Sequence, residues 1–228
     1  MMAESGRYVV SIPLPPHGGE GLLGLPAGPL RGVVLFAHGS GSSRHSPRNA
    51  FVAGVLEEGG FATLLFDLLT EREAEDRTNV FDIPLLCERL SDAADWVAAD
   101  RSLKGMPLGL FGASTGAAAA LMAAARRSDV RAVVSRGGRP DLAGDALAQV
   151  SAPTLLVVGG NDPEVLELNR AARRRMRCVC QLDVVPGATH LFEEQGTLET
   201  AAKWARDWFR RYMAAAPVEG EHAVRGPS

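Results

Sequence analysis

Short blocks of consecutive apolar residues, each closed by glycine or a small polar cluster, alternate along the chain with stretches of helical period. Gly32–Ala37 (GVVLFA), Phe61–Phe66, Leu108–Phe111 (LGLF), Val130–Ser135 and Thr154–Val158 have the continuous pattern of strands buried on both faces. Gln181–Val185 reads as the final strand, and Tyr8–Leu14 with Gly21–Leu25 as an opening antiparallel pair. Between these blocks, Ser46-Pro47 supplies an N-cap and a first-turn proline for a helix to about Glu58. Leu86, Leu90, Ala93 and Val97 recur at spacings of four, three and four, and an Ala-rich helix follows Gly116. Pro163–Arg175 is also predicted helical, as is a closing segment from about Leu198 to Ala214. Trp204, Trp208 and Tyr212 form a stripe on that last helix, expected to pack on the sheet.

Strands alternating with helices imply an α/β fold, a mostly parallel central sheet with helices on both faces. One domain is expected over residues 7–214, with disordered termini at 1–6 and 215–228. Sheets of this kind place their chemistry beyond the carboxyl ends of the strands. Each candidate residue is therefore tested by whether it follows a strand.

Gly112-Ala113-Ser114-Thr115-Gly116 passes, because it joins the LGLF strand to the Ala-rich helix. A sharp strand-to-helix turn there lifts Ser114 above the sheet and crowds its backbone, which explains the small residues on either side. The helix N-terminus faces the serine and favours a negative oxygen nearby.

A serine hydroxyl needs a base, and the usual base is a histidine held by a carboxylate. Of five histidines, His17 lies in the opening hairpin and His222 near the end of the chain. His38 and His45 precede the serine, whereas His190 follows the last strand in Gly-Ala-Thr-His-Leu-Phe. Asp162 follows the TLLVVGG strand and is the preferred acid; the plainer role, N-cap of the next helix, could coexist with it. Asp141 precedes that strand and Asp183 lies inside one, so both are weaker. Ser114, Asp162 and His190 are the expected catalytic residues.

Acyl transfer also needs backbone N–H groups aimed at the developing oxyanion. Thr115 N–H is one candidate, and Ser40 N–H, in the His38-Gly39-Ser40-Gly41 bend after GVVLFA, is the other. His38 is read as a prop for that bend in preference to a base. Substrate contacts are expected from the same end of the sheet: His38, Gly41, Arg44 and His45 in the bend, and Arg136 and Arg139 after the VVS strand. Arg48 lies beside them. A substrate carboxylate held by one or more of these arginines is the sharper hypothesis, and solvated loop arginines the plainer one.

Composition narrows the field. The 228 residues are 46% hydrophobic and 22% charged, those of an ordinary globular protein. A net charge of -3 without a basic run argues against nucleic acid, and no apolar stretch approaches the roughly 20 residues of a membrane span. Three cysteines and no signal-peptide pattern fit a reducing, cytoplasmic setting. No metal-ligand spacing and no dinucleotide motif occur, so neither metal nor cofactor is expected.

With HGSG after the third strand, GASTG at the turn, GGND after the penultimate strand and the GATH loop, residues 20–212 resemble the α/β-hydrolase superfamily. More narrowly they resemble its dienelactone-hydrolase-like branch. HGSGSSRHSPRN is also similar to bacterial hydrolases sometimes fused to phosphoribosyltransferases, a second domain not expected within these residues. True dienelactone hydrolases use a cysteine where this chain has Ser114, and lack the His38-Gly39 motif. The resemblance thus implies a serine esterase with little or no lid, acting on small soluble esters. Dienelactone hydrolase, thioesterase, peptidase, acyltransferase and a non-catalytic binding module remain alternatives. Monomer and homodimer are both open. The charged segment Thr70–Asn79 is given no role.

Overall fold

The computed structural model describes residues 8–14, 16 and 19–213. The two terminal segments expected to be disordered, together with His17 and His222, lie outside these residues. Eight strands form one sheet: β1 (Tyr8–Leu14), β2 (Gly19–Leu25), β3 (Gly32–Ala37), β4 (Phe61–Phe66), β5 (Leu108–Ala113), β6 (Val130–Arg136), β7 (Thr154–Gly159) and β8 (Cys180–Val185). Their spatial order is β1-β2-β4-β3-β5-β6-β7-β8. The first two strands run antiparallel, and β2 joins β4 antiparallel. From β4 to β8 every pairing is parallel.

Every residue of β3, β4, β5 and β7 is buried, as their unbroken apolar runs require. Helices cover both faces. On one side, Val52 and Leu56 of α1 (Pro47–Glu58) and Ala201, Ala205 and Phe209 of α6 (Thr197–Tyr212) pack over Phe36, Phe61 and Phe111. On the other, Leu86, Leu90 and Val97 of α3 (Ile83–Ala99) meet Ala118–Ala120 of α4 (Thr115–Arg126), and Ala172 of α5 (Pro163–Arg175) joins the same cluster. Alanine is what lets α4 lie close, since a helix buried on most sides beside the central strand has no room for longer side chains.

Three details go beyond the sequence expectation. The stripe on α6 is only part of its contact face: Trp208 is buried, Trp204 and Tyr212 are half-buried, and Phe209 lies against Phe61 with ring centroids 6.1 Å apart. An amphipathic helix buries more than one row, and an i, i+4, i+8 count sees only one. Residues 140–149 form short 3-10 turns around Gly144, whose φ is 55°. The charged 70–79 segment is not a featureless loop, since it folds into α2 (Glu71–Ala74) and a 3-10 turn at Asn79–Phe81.

Candidate active site

Ser114 sits one residue beyond β5 with φ 51° and ψ -123°, a left-handed conformation that costs a non-glycine residue energy. The surroundings hold it there. Its N–H donates to Arg136 O at 3.3 Å, and its carbonyl accepts from Ala117 N at 3.1 Å and Arg139 N at 3.0 Å. The flanking glycines are required by contact: a Cβ on Gly112 would lie 2.4 Å from Ala117 Cα, and one on Gly116 would lie 2.2 Å from Ala37 O. The turn is thus wedged between the start of α4 and the end of β3.

His190 follows β8. Its Nδ1 donates to Asp162 Oδ2 at 2.7 Å, which leaves Nε2 as the free acceptor. Asp162 occupies the N-cap position of α5, but its side chain makes no cap bond. The carboxylate is turned to the imidazole, so the two roles weighed from sequence do not coexist. The loops bearing this pair approach closely: Asn161 N donates to Ala188 O at 2.9 Å, and Asn161 Nδ2 to Gly187 O at 3.0 Å. Gly137, next to the Arg136 carbonyl that holds Ser114, abuts His190: a Cβ there would be 3.7 Å from His190 Cε1. Thr189 binds Glu194 through both its N–H (3.0 Å) and its hydroxyl (2.7 Å), closing the histidine loop on itself.

The bend after β3 is the third component. Gly39 lies against Ser114, a Cβ there falling 3.5 Å from Ser114 Oγ. Ser40 N–H donates to Thr115 Oγ1 at 2.9 Å. His38 ties the bend to the end of β4, since its Nε2 accepts Leu68 N–H at 3.1 Å and Nδ1–H then donates to Gly39 O at 3.0 Å. It is therefore engaged at both nitrogens. Burial lowers its pKa, opposed by the Gly39 hydrogen bond and by Asp67. Because the folded protein favours neutral His38, acidification through the ordinary value of 6.5 binds more protons in the unfolded chain and removes stability. Melting temperature should therefore fall more between pH 7 and pH 5 in the wild type than in His38→Gln. Parallel curves would refute a neutral, doubly bonded His38.

A cavity of about 810 Å³ opens beside this bend, bordered by Ser40, Gly41, Arg44, His45 and Thr115. The 70–81 segment also lines it, through Thr70, Ala74, Val80 and Phe81, together with Asp67 and Leu69. That segment is pinned through Glu73, which accepts from Thr70 and from Arg89 Nη2 at 2.6 Å while its carbonyl takes Asn79 Nδ2 at 2.9 Å. Sequence reasoning gave it no role because charged connections seldom have one. Asp67 was missed too, although it directly follows β4 and meets the end-of-strand test applied to the others.

The arginines divide sharply. Arg44 is paired with Asp67 and with Glu20, Arg48 with Glu193 at 3.2 Å, and Arg139 with Asp141 through two bonds of 2.9 and 2.8 Å. Arg136 alone of the four has no carboxylate partner among the described residues. It is 8% exposed, its Nε and Nη1 have no hydrogen-bond partner there, and Nη2 reaches Asn49 Oδ1 at 3.4 Å. The guanidinium lies between the rings of Phe111 and Phe192, at 6.0 and 5.8 Å. Burial, with Arg48 nearby, lowers its pKa to about 10, so it remains a cation at neutral pH. Replacing even a buried ion pair by apolar side chains of similar volume is often neutral or stabilising by about 1–4 kcal/mol. A buried charge without a partner lacks the attraction that offsets its desolvation. Arg136→Met should therefore melt no lower than the wild type in calorimetry, and a drop of several degrees would show that the two ring contacts outweigh desolvation.

Comparison with known proteins now decides the family. Residues 30–207 match the family model described as an alpha/beta hydrolase domain. The chain belongs to the α/β-hydrolase family. A dienelactone hydrolase from Anabaena variabilis is 50% identical, superposes with a TM-score of 0.85, and is covered over 97% of its length by 90% of this chain. Est1E from Butyrivibrio proteoclasticus is 16% identical with a TM-score of 0.74, covering 89% of this chain and 98% of its own, a likeness of fold alone. Two Mycobacterium tuberculosis proteins named as phosphoribosyl transferases are 62% identical over 213 residues, 93% of this chain and 47% of theirs. The chain thus spans about half the length of these curated relatives.

Proposed function

We propose that this α/β hydrolase cleaves carboxylic esters through a covalent acyl-enzyme on Ser114. The observation that carries the reading is the His190 Nδ1–Asp162 Oδ2 bond of 2.7 Å, which fixes the tautomer that leaves Nε2 basic. Ser114 Oγ attacks the carbonyl carbon and its proton passes to His190 Nε2. The carbonyl π pair moves onto oxygen, where Thr115 N–H and Ser40 N–H stabilise the charge. Collapse of the tetrahedral species restores the carbonyl and breaks the bond to the alcohol, which takes the proton from His190. Water, deprotonated by His190, then attacks the acyl carbon. Collapse of this second tetrahedral species breaks the bond to Ser114 Oγ, which recovers the proton from His190 as the acid leaves. Asp162 holds the imidazole and balances its cation throughout.

The same attack opens a lactone, and the Anabaena relative is named for one. The cavity beside Ser40 and Thr115 would receive one side of a compact ester. The transferase name of the M. tuberculosis relatives describes proteins about twice as long, and the aligned portion here carries the hydrolase fold. Three free cysteines accord with a reducing, cytoplasmic setting.

Intact mass after incubation with a fluorophosphonate, followed by peptide mapping, tests the nucleophile directly. One adduct on Ser114, absent from Ser114→Ala, is the expected result. No adduct on folded protein would overturn the reading in favour of a binding module. A panel of neutral esters, lactones and thioesters then fixes the acyl class.

A further inference from the structure

The two N–H groups read above as oxyanion donors, on Ser40 and Thr115, are not equally free. Thr115 is the first residue of α4, so its N–H has no acceptor within the helix. Ser40 N–H, by contrast, is already taken by the Thr115 hydroxyl at 2.9 Å. Both residues border the 810 Å³ cavity, and Thr115 is 4% exposed.

Resting on the esterase reading above, we propose that the Thr115 hydroxyl is a third donor of the oxyanion hole, held on Ser40 N–H until negative charge develops on the substrate oxygen. A hydroxyl has one proton and two lone pairs. Accepting from Ser40 therefore leaves the Thr115 proton unused by that bond. In the empty enzyme the contact gives Ser40 N–H an acceptor and a fixed direction.

Substrate arrival changes the competition in two stages. A neutral ester carbonyl is no better an acceptor than the hydroxyl it would displace, so ground-state binding gains little. Once Ser114 Oγ has bonded to carbon and the π pair sits on oxygen, charge-assisted bonds become roughly twice as strong as neutral ones. The oxyanion then takes Ser40 N–H, and Thr115 Oγ–H turns to donate to it as well. The hydroxyl proton turns about the Cβ–Oγ bond, so donation to the oxyanion requires no change of side-chain rotamer. An interaction gained only with charge raises kcat and leaves KM alone.

The second-order rate of Ser114 modification by an alkyl fluorophosphonate reads this directly. The attack puts negative charge on the phosphoryl oxygen and expels fluoride, so no natural substrate need be known. Removing one oxyanion donor costs on the order of 10²-fold in rate. Thr115→Val should label about that much more slowly than the wild type, and Thr115→Ser should recover to within a small factor. On p-nitrophenyl acetate the same loss should fall on kcat, with KM unmoved. Should the valine variant fold poorly, Thr115→Ala against Thr115→Ser gives the same comparison. Wild-type labelling speed in Thr115→Val, or a loss carried by KM, would overturn the third donor while the esterase reading stands. A folded wild type that does not label at all would overturn both.

Discussion

Asp162→Asn should lower kcat by on the order of 10⁴-fold and leave the stability of the fold unchanged. The activity loss follows from one bond. Asp162 accepts Nδ1–H of His190, and an amide in its place can present an N–H that demands the other tautomer, with the proton on Nε2. His190 Nε2 would then carry a donor where the proposed reaction needs an acceptor. The stability argument is separate. An aspartate at a helix N-cap ordinarily contributes about 0.5–2 kcal/mol, but this one makes no cap bond to α5. Nothing is lost there on substitution. Ester turnover and a urea melt on the same preparation check both halves, and a variant that melts early as well as losing turnover would mean the carboxylate supports the fold.

Gly116→Ala should destabilise the protein by more than about 4 kcal/mol, or unseat the His38–Gly41 bend. On an exposed helix the same change would gain about 1 kcal/mol in helix propensity. Here a Cβ would stand 2.2 Å from Ala37 O and 2.4 Å from His38 O. Both are backbone atoms at the end of a strand paired on two sides, and neither can swing aside as a side chain would. Gly28→Ala is the control, since no atom lies within 4 Å of its Cβ position and its φ is not positive. Urea midpoints of the two variants should separate widely. A Gly116→Ala midpoint close to that of Gly28→Ala would mean that β3 and α4 are free to part.

The strands were readable because β3, β4, β5 and β7 are buried along their whole length, so composition alone marks them. The sequence positions of Ser114 and Asp162 stood out because each follows such a strand, whereas His190 follows β8, of which only Val185 is buried. Distances were not readable. That Asp162 turns to His190 instead of capping α5 depends on how closely the β7 and β8 loops approach, and a Cβ on Gly159 would already meet Ala188 O at 2.3 Å. The burial of Arg136 was also hidden. At the end of a strand an arginine reads as a surface group, and only the packing of Phe192, whose φ is 56°, shows that the cation is covered. Thr115 was noticed for its N–H and not for its hydroxyl, because a hydrogen bond spanning 75 residues leaves no local pattern.

The wall formed by residues 70–81 has a bearing on how such an enzyme could acquire new substrates. Neither α2 nor the turn at Asn79–Phe81 contributes a buried residue. The segment ends at Thr70 and Asp82, which cap α2 and α3 through their own side chains. Everything between these two caps is independent of the hydrophobic core, yet it faces the cavity. Drift or recombination can therefore rewrite the lining of the pocket without trespassing on folding, provided the caps and the Glu73 anchor survive. The fold and this part of the cavity lining lie on separate stretches of chain.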